Sequence, residues 1–270
     1  APVFTIWAGV MGVETIFKAF AKAFPELIPA GSGGDLGDPG FYGKEPVSGR
    51  QVWHQTNAGV GWGARKNQDG INTTQHISMC TVKNIPVEVI ESRLPVMVDR
   101  AELRQDSGGP GTFRGGLGSV REYRFLESFG ALTIVKKSRT SGFGLNGGKP
   151  GPKNLTILKP NTNRQNWKRD WERDVIVYAD NKKLYDDVPD DQEFCGMFRG
   201  EFHSGDVIIY LADGGGGFGL PYERDAQKVQ NDVIDGYVSM EAAANEYGVI
   251  LTDDLEIDRD ATAKQRGGSS

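Results

Sequence analysis

Apolar residues first recur at helical spacing near the start of the chain. Val13, Ile16, Phe17, Phe20, Phe24 and Leu27 share one side, with Glu14, Lys18, Lys22 and Glu26 on the other. The pattern predicts an amphipathic helix over 13–27 whose stripe joins the core, with Pro25 ending it near Phe24. Residues 29–40, dense in glycine, carry no periodicity and read as a loop with positions suited to φ > 0. Val87, Val89 and Ile90, and then Leu94 to Val98, read as short buried strands entered through Pro86 and Pro95. Over 118–135 apolar residues alternate and then run together, which predicts two strands joined by Glu127-Ser-Phe-Gly. Leu155–Lys159 is a further short strand, and the run from Gly205 to Leu211 is the clearest strand in the chain. Residues 160–195 are polar and read as a long surface excursion.

The end of the chain turns helical. A helix is predicted from Glu223 to Val233 with Val229 and Val233 inward, and a second with Ser239 as N-cap and Gly248 as its stop. Val249-Ile-Leu reads as a last strand, and the acidic stretch from Thr252 as a frayed tail. These elements give an α+β fold class: a strand-rich centre with Gly-rich loops, and helices near both ends.

Composition sharpens this picture. Glycine supplies 37 of 270 residues, about 14% and roughly twice ordinary usage. Its blocks at 31–43, 59–70, 108–118, 142–151 and 214–219 lack a G-X-Y period, so collagen is excluded. Cys80 and Cys195 offer neither a disulfide framework nor a zinc ribbon. No stretch approaches a membrane span and the first residues lack the marks of a signal peptide, so a cytoplasmic setting is the default expectation. The formal charge of -5 hides a division, with residues 1–179 at +7 and 180–270 at -12. Such polarity suits either a docking surface or two solvated faces. It does not suit nucleic acid, because the basic half has no dense run.

Candidate chemistry gathers in the loops. Residues 99–124 combine six glycines with alternating charges, and Gly108 and Gly109 could present amides to an anion while Arg104 and Arg114 clamp it. The alternative is a structural turn in which Asp106 caps its own loop and Arg104 pairs with Glu102 or Asp106. Gly215 and Gly216, in the run after the strongest strand, fit either a ligand edge or a packing corner. His76, followed by Glu88 and Glu91, could act as a tuned general base. A lone histidine is also a common structural residue. His54, His76 and His203 have no metal-binding spacing, and there is no P-loop or GxSxG elbow. Gly59-Val-Gly-Trp-Gly-Ala leads into turn chemistry and is set aside as a dinucleotide fingerprint.

Five ordered blocks carry a resemblance. They are Asn84–Pro95, Glu102–Gly118, Gly144–Gly151, Gly214–Asp225, and Asp232–Ser239 followed by Tyr247-Gly-Val. Together they resemble the hydantoinase B/oxoprolinase family, which includes the large subunits of acetone and acetophenone carboxylases. The resemblance covers the C-terminal half of such proteins, with 1–251 as that half, 160–204 as a polar insertion and 252–270 as the tail.

It implies a multi-subunit ATP-dependent carboxylase or amidohydrolase, acting on a ketone with bicarbonate or on a cyclic amide such as hydantoin or 5-oxoproline. ATP would sit on a hydantoinase A-type partner, and a divalent metal elsewhere in the complex, with no metal ligand on this chain. The matching N-terminal half and a small-molecule substrate would complete the partners, with no nucleic acid or membrane among them. His76, Glu91 and Asp106 are then the candidate catalytic residues. Arg104, Gly108, Gly109, Arg114, Gly215 and Gly216 are the candidates for substrate or anion binding. The competing expectation is a non-catalytic assembly component whose glycine loops are packing corners.

Overall fold

A computed structural model describes residues 5–34, 39–45, 47–56, 58–74, 84–134, 137, 140–163, 171–173, 193–195 and 197–267. Two antiparallel five-stranded sheets form its frame. The first is ordered β2 (Gln51–Gln55), β1 (Gly40–Lys44), β5 (Phe129–Ile134), β9 (Met197–Phe202) and β7 (Trp171–Arg173). The second is ordered β3 (Val96–Leu103), β4 (Ser119–Phe125), β10 (Val207–Leu211), β6 (Leu155–Lys159) and β8 (Glu193–Cys195). The predicted strands at 118–135 are present, but β4 and β5 enter different sheets.

Side chains fill the space between the sheets. Phe41, Phe129, Ala131 and Phe202 from the first meet Val96, Tyr123, Phe125, Leu158 and Ile208 from the second. Phe41 meets Tyr123 edge-on with centroids 5.3 Å apart, and Phe125 stacks on Phe202 at 5.0 Å. In β10 every residue after Val207 is buried, which explains why that run carries no polar alternation.

Two predicted elements are corrected near this core. Val87–Arg93 is a helix, α2, and not a strand. Ile90 within it and Leu94 just after it are buried and stand four apart, and Val89 is exposed, so the period is helical. Pro86 precedes it, Glu88 lies in its first turn and Arg93 in its last, an order that suits the helix dipole. At the start of the chain, α1 runs Thr5–Phe20 and its orientation is the reverse of expectation. Ile16, Phe20 and Phe24 are each more than half exposed, Leu27 is 80% exposed, and Glu14 is buried.

Beside the sandwich lies a second kind of interior. The segment Gly214–Gly217 is surrounded by other glycine-rich segments on three sides. Gly215 N–H donates to Gly116 O at 2.9 Å, Gly216 N–H to Gly31 O at 2.7 Å and Gly217 N–H to Lys149 O at 2.9 Å. Their carbonyls accept from Gly109, Ala64 and Leu145 respectively. A strand in a sheet has neighbours on two sides only, so this chain has no side left for side chains. A Cβ on Gly214 would stand 1.7 Å from Ser107 O, and one on Gly215 would stand 2.0 Å from Trp62 O. None of these four glycines has positive φ. Their lack of a Cβ is therefore what the structure uses, and not their conformational freedom.

The C-terminal helices close over this bundle. These are α3 (Ala226–Ile234), α4 (Met240–Tyr247) and α5 (Arg259–Gly267). Ser239 caps α4 by accepting from Ala242 N–H, and Gly248 ends it at φ 62°. The predicted last strand is reduced to a single Leu251–Ile257 bridge, and part of the tail expected to fray forms α5. That helix is capped by Asp258 and tied down where Thr262 Oγ1 accepts from Ile250 N–H at 3.0 Å.

Arg224, 1% exposed, joins helices to bundle. It donates to both Asp69 oxygens at 2.7 and 2.8 Å, and to Asp232 at 2.8 and 3.1 Å. Burial opposes ionisation of Asp69, yet the Arg224 hydrogen bonds overcome it and hold the carboxyl below its ordinary value. No helix among the described residues is long and apolar enough to cross a membrane.

Candidate functional site

The loops at 104–116 and 214–219, far apart in sequence, lie against each other. Gly109 N–H donates to Gly215 O at 2.8 Å, and a Cβ on Gly108 would stand 2.2 Å from Gly115 O. The amides of Gly109, Gly215 and Gly216 therefore point at main-chain carbonyls and not at a ligand. Arg104 reaches the carbonyls of Lys153 and Ala212, each at 3.0 Å. Arg114 is buried, pairs with Asp232 at 3.4 Å, and lies over the Tyr237 ring. The expected partners of Arg104, Glu102 and Asp106, are otherwise engaged: Glu102 bonds Arg100, and Asp106 accepts from Ser239 N–H at 2.8 Å.

Asp106 sits at φ 58° and ties the 104–116 loop to the N-cap of α4, a longer reach than the local cap expected of it. Glu91 is on α2 and accepts from Val98 N–H at 2.8 Å, which locks that helix to β3. His76 lies outside the described residues. The described members of the predicted set thus share contacts within the glycine bundle and its caps, while Glu91 belongs to the sandwich.

A different group stands where a ligand has room. A cleft of about 80 Å³ opens between α1 and the glycine bundle, lined by Glu14, Phe17, Pro29, Trp62, Arg65 and Phe143. The Glu14 carboxylate meets Lys137 Nζ at 2.5 Å and accepts from Ser32 Oγ. Lys137 Nζ also donates to Ser32 O, so this buried pair is hydrogen-bonded at both ends. Such an ion pair costs desolvation that its attraction only partly returns, so it is weak evidence for a purely stabilising role.

Asp213 is fully buried near Lys137 and Arg104; the Gly142 amide pulls on its carboxyl, but neither oxygen has a partner of ordinary hydrogen-bond geometry among the described residues. Burial pushes its carboxyl well above the usual carboxylate range, against the pull of Lys137 and then Arg104. Its backbone N–H donates to Asn154 Oδ1 at 2.5 Å, and the same oxygen accepts from Tyr210 OH at 3.3 Å. Sequence reasoning misses Glu14, Lys137, Asp213 and Arg224. Asp213 alone leaves a signal, as the one charge between the strongest strand and its glycine run. Among the described residues no group of three His, Cys, Asp or Glu side chains is placed to hold a metal ion.

The profile of the Hydantoinase B/oxoprolinase family matches residues 1–221. The chain belongs to this family. It is 32% identical over 254 residues to the B component of the putative D-/L-hydantoinase of Pseudomonas sp. (strain NS671), covering 94% of this chain and 38% of that protein. Among solved structures it superposes on the ATP-dependent caprolactamase from Pseudomonas jessenii with a TM-score of 0.73 at 24% identity, covering 92% of this chain and 40% of the other. For nucleotide-free acetone carboxylase the TM-score is 0.68 at 22% identity, covering 92% and 34%. The two structures establish the shared fold. The chain spans about two fifths of the length of the hydantoinase component and of the caprolactamase chain, and corresponds to the C-terminal half of such proteins.

Proposed function

We propose that this chain is the C-terminal half of a hydantoinase B-type component in an ATP-dependent, multi-subunit complex that opens a cyclic amide such as hydantoin or 5-oxoproline. The observation that carries the reading is the match to the B component of a putative hydantoinase along 94% of the chain. The caprolactamase, an ATP-dependent enzyme of the same fold, supports it. ATP is assigned to a hydantoinase A-type partner, as the family resemblance implies, and the lack of a phosphate-binding P-loop in this sequence fits that placement. The described residues do not fit a metal site, so no step is routed through a metal on this chain.

The exposed stripe of Ile16, Phe20, Phe24 and Leu27 supports assembly with the N-terminal half or another partner chain, because monomers rarely leave such a contiguous apolar face in water. The test is reconstitution with the partner chains, following ATP hydrolysis on hydantoin, on 5-oxoproline, and on a ketone with bicarbonate. Hydantoin- or oxoproline-dependent ATP hydrolysis is the expected result. Turnover on the ketone alone overturns the cyclic-amide assignment, and silence from a complete complex overturns the reading as a whole.

A specific observation favours a second reading, in which the chain is an assembly component without reacting groups. Glu91, Arg104, Asp106 and Arg114 all make contacts inside the fold. Under that reading the variant His76→Ala keeps full turnover in the reconstituted complex. A loss of turnover with assembly intact returns His76 to the catalytic candidates.

A further inference from the structure

The cleft between α1 and the glycine bundle has a polarity of its own. Phe17, Trp62 and Phe143 line it together with Pro29. Its acid is already spent, since Glu14 is paired with Lys137 and bonded by Ser32. Glu14 therefore brings no unmatched negative charge to the cavity. Arg65 also lines the cleft, and its guanidinium has no side-chain partner among the described residues. The Lys18 ammonium stands 5.4 Å over the Phe143 ring. A paired acid, an aromatic lining and the Arg65 guanidinium select a small flat apolar molecule bearing one negative group.

We propose that this cleft is a binding site for a small apolar carboxylate, with its ring or chain between Phe17, Trp62 and Phe143 and its carboxylate at Arg65. A guanidinium holds a carboxylate through two parallel N–H···O bonds, a geometry that a neutral amide cannot match in charge. The inference rests on the function proposed above and deepens it. Opening a cyclic amide and carboxylating a ketone both leave a carboxylate on a small organic body, so the occupant is the class of molecule that either reaction releases.

The experiment uses the 270-residue chain and calorimetric titration with phenylacetate, phenylacetamide and inorganic phosphate. Saturable binding of phenylacetate is expected, with phenylacetamide and phosphate each weaker by about tenfold or more, the loss of one charge-assisted contact. Arg65→Ala is expected to weaken phenylacetate by about tenfold, and Arg50→Ala, at an exposed position, leaves it unchanged. Trp62→Leu is a second variant that removes a wall and lowers affinity while leaving the preference for acid over amide. Equal binding of acid and amide, binding of phosphate as tight as phenylacetate, no binding at all, or equal effects of the two arginine variants overturns the proposal. A complex silent on every substrate while phenylacetate still binds defeats the functional reading alone. An active complex whose chain ignores phenylacetate defeats this inference alone.

Discussion

Between β4 and β10 the backbones pair in a ladder, and the space above them is filled by Tyr123, Phe125 and Ile208. Around Gly214–Gly217 the same space is filled by other backbones, and there are no side chains to fill it. The two interiors therefore fail differently. A side-chain core loses contacts gradually when atoms are removed, and its neighbours relax into part of the gap. A backbone core cannot accept an atom, because a Cβ meets carbonyls and amides that are themselves fixed by hydrogen bonds.

Gly215→Ala puts its methyl 2.0 Å from Trp62 O and 2.5 Å from Gly63 N. The expected loss exceeds about 4–5 kcal/mol, the exceptional class of single substitutions. Leu158→Ala, fully buried in the sandwich, is expected to cost about 2–5 kcal/mol. Urea denaturation of both variants measures the difference. Gly236→Ala supplies the control: the site is open, and only its φ of 74° opposes a side chain, so about 1 kcal/mol is expected. If Gly215→Ala costs less than Leu158→Ala, the bundle is soft and the contrast between the two interiors is wrong.

The same contrast explains what can be read in advance. β4, β6 and β10 are legible because burial of a strand face or of both faces writes itself locally, as alternation or as an apolar run. The cap residues Ser239 and Gly248 are legible for the same reason, each bonding within a few residues. The glycine density of the bundle is visible, but its partners are not, since Gly215 pairs with residues 109 and 116 across a hundred positions. Helix α2 is misread because a short run of Val and Ile offers β-branched residues to either structure. Glu14 is hidden by a rule that holds only when a helix finds its apolar partner within the chain.

Asp213 stands where the two interiors join, at the end of β10 and before the first glycine of the central segment. An acid whose folded-state value lies above its unfolded one stabilises the fold only while protonated. That contribution is lost as pH rises through the folded value. The direction of its shift therefore predicts that the wild-type chain loses stability on this account as pH rises above the ordinary carboxylate value. Asp213→Asn should be more stable than wild type at about pH 8 by about 1–3 kcal/mol, the penalty of an unsatisfied buried polar group, and the advantage should shrink toward about pH 4. Thermal melts across that range decide it. A variant that is less stable at the basic end would mean that the charged carboxylate is holding Lys137 and Arg104 in place.

The smallest expected effect on stability concerns α1, whose outer face belongs to neither interior. Ile16 and Phe20 are 53% and 51% exposed, so replacing both with Ser removes little packing. The double variant should unfold within about 0.5 kcal/mol of wild type, as exposed substitutions do. The same change removes two large apolar anchors from the face offered to a partner, where buried aromatic contacts carry much of the binding free energy. Co-purification with the partner chains should fall while the urea midpoint stays in place. A loss of several kcal/mol with assembly unchanged would put that face inside this chain's own fold.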